Sequence, residues 1–383
     1  MTKRVYILRL IWVGLLLVSA AGNVYATRIY GGHYSEERIT NLRNNCRKYE
    51  WAKQQLNAAV EKAKPWLART DEALWMMVPG QDLPRTIDVA YDKFAAGPKF
   101  VGCIVCGDKI FKYGNYPYDP DFENKPWKLT CPSCGSVFPT NDFGKYYQSA
   151  IDGYGLFNPA KGDTSLLFNT AHPDPKDPLH KFGVDNGFGY VHNGRAYKYI
   201  GYYTWKYWMY INDGLAALAD AFLYTGDQRY AHKAAILLDR IADVYPSMDW
   251  KPYADRGWYH SDGGSGRGKI EGSIWETGVV QKFADAYDKI LSGTQNDPSL
   301  YAFLKHQSEK YKLPDPKGTR DLFVANVDDG ILKTAFKAVL SLQIRGNQGM
   351  HQLTLATCAI ALNTDPLTTQ WLDWLFAPDG GAI

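Results

Sequence analysis

Residues 211–246 read "INDGLAALADAFLYTGDQRYAHKAAILLDRIADVYP", and they decide the fold class. Leu215, Leu218, Ala219 and Phe222 recur at i, i+3, i+4 and i+7, which places them on one face of an α-helix. Gly226 stands where a C-terminal cap belongs, and Asp227 can open the next helix. That second helix repeats the apolar phase with Ala234, Leu237, Leu238 and Ile241, and Pro246 closes it. Two helices joined by so short a turn form an antiparallel hairpin. Working outward, the same spacing predicts helices over 275–291 (Val280, Phe283, Ala284 and Tyr287 in phase), 331–344 and 351–362. "TQWLDWLF" begins another, and residues 27–100 read as an N-terminal helical segment. Stacked hairpins give an open solenoid or a closed (α/α) toroid. No fixed-period repeat is present, which favours an all-α toroid over 146–383.

The chain has 383 residues, 45% hydrophobic and 14% aromatic, enough for a sizeable core rather than a disordered segment. Its 27 tyrosines and 12 tryptophans suit stacking on sugar rings as well as core packing. Lys3, Arg4 and Arg9, the apolar run "LIWVGLLLVSA" and Val24-Tyr25-Ala26 together read as an export signal over residues 1–26. The apolar run is shorter than the ~20 residues a spanning helix needs, so no stable membrane anchor is expected after cleavage. With those three bases removed, the 43 basic residues fall to the same 40 as the acidic ones. A mature chain without net charge does not point to nucleic acid, although a local basic site is compatible with it. Oligomeric state is not legible.

"GCIVCGDKI" and "LTCPSCGSVF" supply Cys103, Cys106, Cys131 and Cys134. Two C-x-x-C knuckles, each trailed by a glycine, resemble a four-cysteine zinc ribbon, here a module over 101–145. Disulfides are the rival, because an exported chain meets an oxidising compartment. Four thiolates would leave no open position on the metal, so such a zinc ion would be structural. Cys46 and Cys358 are left over, and Cys358 sits in an apolar helical run.

Between the helices lie long Gly-, Tyr- and Asp-rich loops at 182–198 and 249–269, which is where a site is expected. The second peculiarity is "SLQIRGNQGMHQLTLATCAIALN", residues 341–363. Glycine costs about 1 kcal/mol against alanine inside a helix. An Asn347-Gln348 pair between Gly346 and Gly349 therefore needs a reason beyond packing. A helix C-cap with a polar turn is the plain one.

Here the motifs carry a likeness. "LWMMVPGQDLPR", "PWKLTCPSCGSVFPTNDF", "GDQRYAHKAAILLDRIADVYP" and "GNQGMHQLTLATCAIAL" together resemble bacterial heparinase II/III-type polysaccharide lyases over about residues 75–374. The resemblance implies an (α/α) toroid, followed in the family by a β-sandwich, and β-elimination on uronic-acid-containing, hence acidic, polysaccharide. It implies that Asn347 neutralises the substrate carboxylate, where a preorganised donor is worth ~3–4 kcal/mol. His351 is a second donor candidate. Gln348, Tyr202, Tyr203, Trp205, Tyr259, Trp275 and Glu276 are the expected substrate contacts, although "YYTWKYW" also reads as one packing face.

The family's proton-transferring tyrosine normally follows the asparagine, and residues 348–383 contain none. The base would have to be Tyr190, Tyr203 or Tyr259, and the chain reads as C-terminally incomplete. Two rivals remain. A toroidal glycoside hydrolase would draw its two carboxylates from Asp249, Asp255, Asp262, Glu271 and Glu276. A glycan-binding module would bind without turnover.

Overall fold

A computed structural model describes residues 28–92 and 99–378; the expected export signal lies outside them. The fold is mostly helical. Helices α1 (Glu36–Lys48), α2 (Glu50–Leu67) and α3 (Asp71–Met76) open it, with the Ser35 and Thr70 side chains capping α1 and α3. Two antiparallel ladders follow, β1 (Tyr91–Asp92) with β2 (Lys99–Phe100) and β3 (Leu129–Thr130) with β4 (Val137–Phe138), then α4 (Phe143–Ser149). A third ladder pairs β5 (Tyr190–His192) with β6 (Arg195–Tyr197). It lies inside the expected 182–198 loop and turns on Asn193 and Gly194, both left-handed at φ 48° and 75°. Asn-Gly between alternating residues is the signature of such a tight hairpin.

The helical body begins with α5 (Tyr199–Thr225), which ends at Gly226 with φ 76°, the cap read from the sequence. Asp227 then accepts the Arg229 N–H and starts α6 (Gln228–Val244). Next come α7 (Lys251–Asp255), α8 (Glu276–Ile290), α9 (Pro298–Lys310) and α10 (Arg320–Val327). The chain closes with α11 (Thr334–Leu340), α12 (Met350–Leu362) and α13 (Leu367–Phe376). Helix α5 is central: it packs on α2, α6 and α8, while α8 also packs on α12 and α12 on α13. Its approach to α2 requires Gly214, where a Cβ would come within 2.2 Å of the Trp66 ring.

The helix expected over 331–344 is corrected in two ways. Residues Asp328–Lys333 form a π-helical turn, which seats the buried Asp328 against Arg28 at 2.6 Å. Helix α11 stops at Leu340, because Leu342 is left-handed at φ 59°. No helix among the described residues is long and apolar enough to cross a membrane.

Candidate functional site

The four knuckle cysteines come together. Their Sγ atoms all lie within 4.8 Å of one another, with Cys103–Cys134 at 3.9 Å and Cys106–Cys131 at 3.7 Å. Ligands about 2.3 Å from a tetrahedral metal stand about 3.8 Å apart, whereas a disulfide needs about 2.05 Å. All four are free thiols, so the set fits a metal ion and not two disulfides. Gly107 (φ 61°) and Gly135 (φ 77°) make the left-handed turns that fold each knuckle back, and the Val105 N–H reaches Cys103 Sγ at 3.4 Å. Burial pushes Cys131 up to about 12. At Cys134 the same upward push is outweighed, chiefly by Ser136, which brings it to about 7.

The aromatic run of α5 serves this module and not a ligand. Tyr202, Tyr203 and Trp205 are 1%, 2% and 8% exposed and share a core with Cys103, Cys131 and Leu129. Tyr202 donates its hydroxyl to the Tyr118 carbonyl at 2.9 Å, and the Tyr203 ring lies against Phe122 and Trp127. The expected sugar platform is therefore packing. Glu276 is corrected likewise. It is fully buried, with one oxygen accepting the Tyr245 hydroxyl at 2.9 Å and the other the Glu271 N–H at 2.6 Å, so the carboxylate is engaged inside the protein.

Asn347 and Gln348 are exposed and line a cleft of about 690 Å³ between the 262–274 segment and the 342–348 loop. Both glycines have local reasons. Gly349 is the N-cap of α12 at φ 90°, and a Cβ on Gly346 would meet Met350 Cβ at 2.5 Å. Asn347 is not a helix C-cap, since α11 has already ended at Leu340 and Ser341 caps it. Among the described residues its side-chain amide has no partner in the protein, although the Asn347 main-chain carbonyl accepts the Met350 N–H at 3.0 Å. Arg267 and Arg345, both exposed, line the same cleft. Arg267 also ties its two lips together by donating to the Leu342 carbonyl at 3.3 Å.

A second lobe of about 500 Å³ shares Asp262 and Gly263 with the first. Tyr91, Trp250, Trp258, Tyr259 and His260 line it. Tyr259 stacks on Tyr91 with ring centroids 4.3 Å apart. His260 accepts the Gly272 N–H on Nδ1 at 3.1 Å, and burial, followed by Arg85, holds it down to about 3 and so neutral. Of the three tyrosines weighed as a base, Tyr259 alone lines a lobe among the described residues. Tyr203 is sealed in the core, and Tyr190 packs with Phe182 and His192. Trp275 is 51% exposed beside the lining residue Ile274, whereas His351, in the first turn of α12, lines neither lobe. Arg267, Arg345 and Tyr91 went unread in the sequence. The two arginines do adjoin the glycine clusters "GGSGRG" and "RGNQG", and a balanced net charge concealed them. No known protein family matches the sequence, and no curated protein or solved structure is significantly similar to it.

Proposed function

We propose that the chain is an exported lyase that cleaves uronic-acid-containing polysaccharide by β-elimination in this two-lobed cleft. The observation that carries the reading is the free amide of Asn347, exposed in one cleft with Arg267 and Arg345. Removing the proton α to a carboxylate puts a second negative charge on that group. An amide donor and two guanidinium groups are the chemistry that stabilises such an enolate. The Tyr259 side-chain oxygen takes the C5 proton from the adjoining lobe. The enolate then collapses with expulsion of the C4 oxygen, to which Tyr259 hands on the proton it took, and the new chain end is a 4,5-unsaturated uronate.

The hydrolase rival lacks its second group. A glycosidase needs two carboxylates across the bond, and Asp262 is the only one among the described lining residues of either lobe. Its Oδ1 is already engaged by the Gly264 N–H at 2.8 Å. In the same proposal the helical pairs form an (α/α) toroid, and the ion of the four-cysteine site is zinc in a structural role.

Absorbance near 230 nm is to be followed while the purified protein meets a panel of uronate polymers, wild type beside Asn347→Ala. A rise that the variant lowers about 10²–10³-fold supports the reading. No rise on any polymer, from folded protein, overturns elimination and leaves glycan binding.

A further inference from the structure

The four-cysteine site and the aromatic lobe are joined through one short segment. Residues 86–91 run from the backbone of Tyr259 to the β1–β2 ladder beside the knuckles, and Tyr91 itself lines the lobe. At one end, the Tyr259 carbonyl accepts both the Thr86 hydroxyl at 2.8 Å and the Ile87 N–H at 3.2 Å. At the other, β1 pairs Tyr91 with Phe100, and the Val101 N–H donates to the Ala90 carbonyl at 2.9 Å, two residues before Cys103. Val89 and Ala90 are buried in the same core as Cys103 and Cys131, and Tyr259 packs against that core from the cleft side. The Tyr259 ring is then held against the β1–β2 ladder that leads into the module: Tyr91 stacked at 4.3 Å and 9°, and Phe100 edge-on at 5.7 Å.

We infer that the metal of the cysteine site is a positioning element for the cleft, fixing Tyr259 through Phe100 and Tyr91. Its role is thereby more specific than holding the fold. Two-residue strands are too short to keep their register alone. Among the described residues β1 and β2 pair only two residues each, and the adjoining knuckle, joined to the ladder by the Val101 N–H on the Ala90 carbonyl, anchors that end. When the four cysteines lose their common ion, nothing joins the Cys103–Cys106 knuckle to the Cys131–Cys134 knuckle, and that anchor is released. Tyr259 then loses its stacking partner, while the α5–α6–α8 core has its own apolar contacts and stays closed. Tyr91 is accordingly a positioning residue. The inference concerns the wall of the cleft and holds whatever the cleft binds, so failure of the elimination assay leaves it standing.

The experiment uses the full chain as purified. A thiol-specific mercurial displaces the metal, a colour-forming chelator counts it, and hydrogen exchange is followed by mass spectrometry. About one metal ion per chain is expected. Exchange over residues 257–264 should rise about tenfold or more, with α6 unchanged. Absence of bound metal overturns the inference, as does unchanged exchange over 257–264. An equal rise in α6 overturns it too, since the metal would then hold the whole fold. Tyr91→Leu should keep the metal and still raise exchange over 257–264 about threefold, whereas Tyr91→Phe, which keeps the stack, should not. Identical exchange in the two variants removes Tyr91 from the chain of contacts.

Discussion

Two short stretches look equally site-like in the sequence, the aromatic run at 202–208 and the GNQG turn at 346–349, and the fold treats them oppositely. The first disappears into the joint between α5 and the cysteine module, with Tyr202, Tyr203 and Trp208 at 1–2% exposure. The second stands open in a charged cleft. The difference lies in the backbone. The aromatic run has no turn residue and continues one helix for 27 residues, so module and helical body cover it from different sides. The GNQG turn has a left-handed glycine and no side chain large enough to be worth burying. Aromatic rings on an unbroken helix are first of all area to bury, at about 25 cal/mol per Å². Amides held between glycines in a turn have no such use.

The sharpest way to break this contrast is to truncate one residue from each stretch. Tyr203→Ala should cost about 3–5 kcal/mol, read as a fall in denaturation midpoint, because the cavity opens beside Phe122 and Trp127. Asn347→Ala should leave stability within about 0.5 kcal/mol while removing about 10²–10³-fold of the elimination rate. A stable Tyr203→Ala protein with impaired ligand binding would reverse the assignment of the two stretches.

Glu276 extends the test to a polar group, since it was read as a substrate contact and is found interlocked. Glu276→Ala strands the Tyr245 hydroxyl and the Glu271 N–H inside the protein, and a loss of about 3 kcal/mol is expected in urea titration. A variant as stable as wild type would show that water reaches the site, and Glu276 would return to the list of ligand contacts.

What could be read in advance followed from local rules. The α5–α6 turn was legible because Gly226 and Asp227 do in isolation what they do in the fold. The cysteine cluster was legible because two knuckles with trailing glycines are a local geometry that one distant pairing completes. The π-turn at Asp328–Lys333 was not, because its driving contact is Arg28, 300 residues away. Nor was the basic character of the cleft. Arg267 and Arg345 are far apart in sequence, and only the meeting of the 262–274 and 342–348 segments makes them neighbours. The burial of Tyr203 likewise depended on Phe122 and Trp127 from the cysteine module, which no periodicity within α5 records.

Gly349→Ala probes the turn itself. With φ at 90° and nothing within 4 Å of a new Cβ, the cost is backbone strain alone, about 1–2 kcal/mol. Because strain relaxes by moving the turn, the variant should also weaken substrate binding. Loss of stability with unchanged binding would mean that the amide does not depend on this backbone.

The gentlest test is a histidine that joins three helices away from the two-lobed cleft. His232 on α6 lies 2.7 Å from Asp297, the N-cap of α9, and 3.2 Å from Asp71 at the start of α3. Burial disfavours its charged form, but the bonds to Asp297 and Asp71 outweigh that and raise its pKa above the usual value. Asp297 shows the converse. Its burial would raise it, yet His232, Ser299 and the Leu300 N–H bring it to about 2. The raised histidine contributes stability that is complete below about pH 6.5 and disappears as pH climbs through its folded value. The depressed carboxylate contributes stability that is complete above about pH 3.9 and disappears as pH falls through about 2. The latch is therefore strongest from about pH 4 to 6.5. His232→Gln should cost about 1–2 kcal/mol near pH 5.5 and clearly less near pH 9. Lys233 also meets Asp71 at 2.5 Å, so Asp71 keeps a partner in the variant. An equal cost at both pH values would mean that His232 works as a neutral hydrogen-bonding spacer. Its charge would then have no part in joining α3, α6 and α9.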